Sequence, residues 1–178
     1  MKEIDYLNKF QSFLDSSELD STVLAGDTAT PHDRLLIYGG QDYQKRERIV
    51  EVTSQIQQLG QNLGAKSQVE YIRVQFQVTL PFKVAELAAR DTSSLLLFLN
   101  KMIELPGWEF NELDDRIDYR YVLLAKSDGV DEDLFSGILG VILLLCQLFT
   151  EVIEQIASGK RTFNDLMEEV VQIASKNR

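Results

Sequence analysis

Between Leu134 and Ile156 the chain carries a run that any fold must accommodate first. Leu134 to Phe149 is apolar nearly all round, broken by Ser136, Gly137, Gly140 and Gln147. The run then turns amphipathic through Glu151, Val152, Ile153, Glu154 and Ile156. Asp131, Glu132 and Asp133 precede it, where negative charge opposes the positive end of a helix dipole. Gly159, followed by Lys160 and Arg161, supplies a residue free to take a left-handed cap. The pattern predicts one long helix whose first half must be covered on more than one side. Burying roughly ten large side chains at about 1.5–3 kcal/mol each is a gross stabilisation on the order of 15–30 kcal/mol. A sheet face is therefore required, together with a second layer or a partner.

The apolar run is shorter than the roughly 18–20 residues of a membrane span and passes into a charged helix, so a buried core helix is expected rather than a membrane segment. The start, Met1-Lys2-Glu3-Ile4-Asp5, has no apolar core and does not read as a secretory signal. The cytoplasm is the expected compartment. A net charge of −10 over 178 residues opposes binding to nucleic acid or to anionic membranes. The length suits a single domain, with residues 33–158 as its core.

Ile4, Leu7, Phe10 and Leu14 recur at helical spacing and predict a first helix within residues 1–15. Residues 16–32 have turn composition and predict an extended connection. Leu35–Tyr38 and Arg48 to about Gln57 read as strands around a polar hairpin loop. The clearest strand follows, where Ile72, Val74, Phe76, Val78 and Leu80 alternate with Arg73, Gln75, Gln77 and Thr79. A period of two specifies a sheet with one face buried and one wet. Pro81 is expected to stop it. Lys83 to about Leu105 reads as helix, interrupted at Asp91–Ser94 by either a break or an exposed turn. Trp108–Leu113 and Arg116–Lys126 predict two strands around a turn at Asp114-Asp115. Thr162 with Asp165 predicts a boxed start for a last helix, 162–175, with Phe163, Leu166, Met167, Val170, Val171 and Ile173 on its inner side. The expected class is α+β: an α-β-β-β-α-β-β-α order, an antiparallel sheet with helices packed on one face, and a short C-terminal helix.

No constellation of residues demands a particular chemistry. Glu109, Glu112, Asp114 and Asp115 cluster at a turn, where solvated acids belong. Asp128 to Asp133 lacks the ligand alternation of a calcium loop and reads as helix capping. His32 and Cys146 lie on unrelated segments, and Cys146 has apolar neighbours, so a nucleophile pair is not expected. Gly39-Gly40 and Gly60/Gly64 lack a phosphate-binding pattern. Lys45, Arg46 and Arg48 form the densest basic patch, a solvated hairpin before it is a docking site. The best surface candidates are Tyr71, Arg73, Gln75 and Gln77 on the wet face of the clearest strand, with Trp108 and Phe110 beside a proline-glycine break. A polar strand face carrying aromatic residues can bind an extended peptide.

The element order, together with Asp118-Tyr119-Arg120-Tyr121-Val122-Leu123-Leu124 leading through a polar turn to Asp133-Leu134-Phe135, resembles the YbjN family and the related fold of class I type III secretion chaperones. The resemblance covers about residues 33–158 and rests on pattern, not on a signature motif. It implies a small acidic homodimer that binds protein segments, with no catalytic residues, cofactor or metal. The leading expectation is thus a non-enzymatic interaction module, chaperone-like or regulatory. Its rival is a small-ligand-binding domain or enzyme with a pocket between sheet and helices, roofed by residues 16–32, with Glu109, Asp118 and Arg120 as the nearest polar groups.

Overall fold

A computed structural model describes residues 3–28, 30–59, 69–126 and 131–176. The elements are α1 (Glu3–Ser16), β1 (Ser21–Leu24), β2 (Arg34–Gln41), β3 (Glu47–Leu59), β4 (Val69–Lys83), a 3-10 turn (Glu86–Ala88), α2 (Ala89–Met102), β5 (Trp108–Asn111), β6 (Arg116–Lys126), α3 (Glu132–Ala157) and α4 (Phe163–Lys176). The fold is α+β, with an antiparallel sheet of six strands in the order β1-β2-β3-β4-β6-β5. The chain divides into two compact units, Met1–Val78 with Arg120–Leu143 and Thr79–Tyr119 with Leu144–Arg178.

In the first unit, alternation along β2, β3 and β4 turns Leu35, Ile37, Val50, Val52, Ile72, Val74 and Phe76 inward. From α1, Tyr6, Leu7, Phe10 and Leu14 are buried, as are Phe135, Ile138, Leu139 and Ile142 from α3. Phe135 stacks on Phe10 (3.7 Å between centroids) and tilts against Phe76 (5.1 Å), so an aromatic contact joins α1, α3 and β4. Beyond Thr53, β2 no longer pairs β3. Glu3 serves the strand there: its carboxylate accepts from the Ile56 N–H (2.7 Å) and its carbonyl from Ser54 Oγ (2.9 Å).

The Thr79–Tyr119 unit buries Leu95, Leu96 and Leu99 of α2 with Ile117 and Tyr119 of β6. Asn100 fastens the end of α2 to the start of β5: its Oδ1 accepts from the N–H groups of Gly107 (3.1 Å) and Trp108 (2.9 Å), and its Nδ2 donates to the Trp108 carbonyl (2.9 Å). The Thr162–Asp165 box is present. Thr162 N–H donates to Asp165 Oδ2 (3.0 Å) and Asp165 N–H to Thr162 Oγ1 (3.1 Å).

Several expectations change. Residues 16–32 contain β1, which pairs β2 from Ser21↔Ile37 to Leu24↔Arg34. Pro81 lies within β4, past Gln77, where the pairing to β3 ends and a missing donor leaves no gap in that ladder. The helix expected from Lys83 begins only at Ala89, and Asp91–Ser94 sits inside its first turns. There Asp91 suits the dipole, Thr92 is buried, and Ser93 Oγ bonds back to the Ala89 carbonyl (2.9 Å). β5 stops at Asn111 because that side chain builds the turn, accepting from the Leu113 N–H (3.1 Å) and donating to Asp114 (2.8 Å). No residue of α4 is fully buried. The helix is anchored through its first residue, with Phe163 6.0 Å from Phe98, while Val170, Val171 and Ile173 are exposed.

Helix α3 is likewise covered on one side only. Among the described residues it is the one helix long and apolar enough to cross a membrane. Only 39% of its most apolar window is buried, so its own chain covers less than half of it.

Candidate polypeptide-binding face

The site is a consequence of the period of two in β4. With Ile72, Val74 and Phe76 committed to the core, Tyr71, Arg73, Gln75 and Gln77 must emerge together on the opposite face, where all four are half-buried. The register sets Gln57 beside Tyr71, Gln55 beside Arg73, Thr53 beside Gln75 and Glu51 beside Gln77. From β2, Arg34 lies beside Thr53, Leu36 beside Glu51 and Tyr38 beside Ile49.

The polar side chains on this face form an ordered series. Arg73 donates to the carbonyl oxygens of Gln75 and Gln55, and Gln75 Nε2 donates onward to Gln77 Oε1 (3.2 Å). Among the described residues every hydrogen-bond partner of the Arg73 guanidinium is therefore a neutral amide. Glu51, on the β3 row of this face, stands 3.5 Å from Arg34. Amides that both donate and accept, flanked by Tyr71, Tyr38, Leu36 and the exposed Ile49, can hydrogen-bond an extended chain and supply apolar contact around it.

Trp108 and Phe110 fare differently. Trp108 is only 3% exposed, set edge-on to Tyr119 at 5.1 Å, so it is a core residue and cannot be offered to a partner. Phe110 is half-buried, paired with Ile117. Both belong to the Thr79–Tyr119 unit. Their aromatic character beside Pro106-Gly107 gave no sign of which way the short strand would turn them.

The polar groups of the rival reading are engaged in structure. Asp118 is 5% exposed and accepts from Thr79 Oγ1 (2.6 Å) and Arg116 Nε (2.9 Å). The acids at the β5–β6 turn are exposed. In the basic hairpin, Arg46 is paired to Asp42 (2.6 Å) and Arg48 is buried, leaving Lys45 outward. Burial would raise the Asp42 carboxyl, but the Arg46 N–H, the Arg46 side chain and the Gln44 N–H outweigh it and hold it below its usual value. Asp131 caps α3, accepting from the Leu134 N–H (2.9 Å), whereas Asp128 to Val130 of the acidic stretch lie outside the described residues. Cys146 is fully buried. Among the described residues no three His, Cys, Asp or Glu side chains are placed to hold a metal ion.

Sequence reasoning missed the reason for Gly39. A Cβ there would come 2.6 Å from Leu143 Cδ2 and 3.3 Å from the Arg48 carbonyl, so α3 leaves no room for a side chain at this point of β2. No family model and no curated protein matches this chain.

Proposed function

We propose that the protein is a non-enzymatic polypeptide-binding module, chaperone-like or regulatory, that works as a homodimer and takes an extended segment of another protein on the open face of β4. The observation that carries this reading is the Arg73–Gln75–Gln77 series, a half-buried row of preoriented amides around a cation that has no carboxylate partner among the described residues. Side chains fixed before binding lose little rotamer freedom when a ligand arrives. A cation held only by amides favours a segment that brings a carboxylate to Arg73. The pattern-level resemblance to YbjN-type and secretion-chaperone domains supports the same reading, and the cytoplasm is the compartment that goes with it.

The test is to select ligands from a displayed library of unstructured peptides and to measure affinity by fluorescence anisotropy. Arg73→Glu and Gln75→Glu should each weaken binding about tenfold or more, while Lys9→Glu on α1 leaves it unchanged. Equal affinity across all four proteins would overturn the reading. So would a library that yields no binder alongside thermal stabilisation by a metabolite.

A further inference from the structure

We infer that the outer face of α3 is a self-association surface, on which a second copy of this chain packs its own α3 antiparallel about a two-fold axis near Val141. The inference rests on the homodimer of the reading above and gives that dimer a location.

Leu134, Val141, Leu144 and Leu148 fall at spacings of seven, three and four, one stripe of a helix. Their exposures are 45%, 36%, 55% and 59%. At roughly 200 Å² for a fully exposed side chain, the stripe leaves about 400 Å² of apolar surface per copy, as large as the biggest patch on a typical monomer. Two copies would remove about 800 Å² of it from water. The polar flanks at Ser136, Gln147 and Glu151 would take the total past the ~1,000 Å² that a specific interface needs.

The stripe is also self-complementary, which singles out a second copy over an unrelated chain. An antiparallel pair centred on Val141 sets Leu134 of each copy against Leu148 of the other. Leu144 then falls within about 1.5 Å, along the axis, of the other copy's Gly137, so a large side chain meets a residue with none. A parallel pair would set Leu144 on Leu144 and glycine on glycine, crowding one turn and hollowing the next. Among the described residues nothing lies within 4 Å of a Cβ added at Gly137 or Gly140, so packing among those residues does not require glycine there. Mid-helix glycine is unfavourable relative to alanine, and close approach by another backbone accounts for it. The contact is isologous and closes at two copies. It brings Glu151 of each copy near the other's Asp131–Asp133, so added salt should tighten the dimer.

The experiment is light scattering with oxidative cross-linking on the full chain. The wild type should elute at twice 20.3 kDa. Val141→Cys should cross-link to itself, and Leu134→Cys alone should not, because its two copies stand about 20 Å apart along the axis in the antiparallel pair. Leu144→Glu and Gly137→Leu should each weaken the dimer about tenfold or more with circular dichroism unchanged. Gly137→Leu should also raise the melting temperature of the monomer, an outcome that a merely structural role for the glycine would reverse. A wild-type dimer indifferent to both substitutions would overturn this surface and leave the peptide-binding reading standing. A wild type monomeric at about 100 µM would overturn both the surface and the homodimer, while the Arg73 experiment judges the sheet face separately.

Discussion

Replacing Phe135 with alanine empties the middle of the aromatic contact that joins α1 to β4. The ring is 1% exposed, stacked on Phe10 at 3.7 Å with 23° between planes and tilted on Phe76 at 5.1 Å. Truncating a fully buried phenylalanine costs about 3–5 kcal/mol, from lost transfer energy and the cavity left behind. Each aromatic pair accounts for about 0.5–1.5 kcal/mol of it. For a chain of this length that lowers the melting temperature by about 6–20 °C. Phe135→Leu keeps most of the volume and should cost less than half as much. Urea unfolding followed by far-UV circular dichroism measures both. A double-mutant cycle of Phe10→Leu with Phe135→Leu should return a coupling of about 0.5–1.5 kcal/mol. A loss below about 1 kcal/mol for Phe135→Ala, with no coupling to Phe10, would refute the packing of α1 and α3 described above.

Two further outcomes concern the β2–β3 hairpin. Asp42→Asn should destabilise by about 1–3 kcal/mol near neutral pH, because a carboxylate accepting two N–H groups and pairing with Arg46 is lost. Since the folded carboxyl lies below its usual value, its contribution is full above the unfolded value of about 3.9 and vanishes as pH falls through the folded one. The gap between wild type and variant should therefore close in acid, and urea midpoints measured against pH will show it. Lys45→Gly should stabilise by about 0.5–1 kcal/mol, since Lys45 holds φ at 62°, a conformation strained for a side chain, and thermal melts suffice to measure it.

What could be read from the chain, and what could not, follows from the range over which each signal acts. The period of two in β4 is local and strong, and it alone places Tyr71, Arg73, Gln75 and Gln77 on one face. Capping is local too: the Thr162–Asp165 box and Asp131 before α3 do what their positions imply. β1 was hidden because a four-residue edge strand carries too few alternations to stand out from turn composition. The start of α2 was misplaced because Val84, Leu87 and Ala88 have helical spacing, while strand β4 in fact continues to Lys83. Which face of a helix is covered is a tertiary matter. The apolar stripe of α4 promised an inner side, yet only Phe163 and its neighbours are near α2. Trp108 failed for the same reason, its depth being set by Tyr119 and Asn100 from other segments.

In α3 the two demands on an apolar helix can be separated, and the separation bears on how the protein works. Within the first unit Phe135 faces Phe10 and Phe76, on the core side of β4. Leu134, Gly137 and Val141 point the other way along the same turns. The polar row Tyr71–Gln77 lies on the far face of the sheet from Phe76, because neighbouring strand residues alternate. Within the first unit the Tyr71–Gln77 row and the Leu134, Gly137 and Val141 side of α3 thus face opposite ways. Two such rows on the proposed pair would engage a segment that repeats its recognition sequence far more tightly than either row alone, with no new contact. The exposed apolar side of α3 would make that arrangement available, while its inner side packs into the core of the sheet.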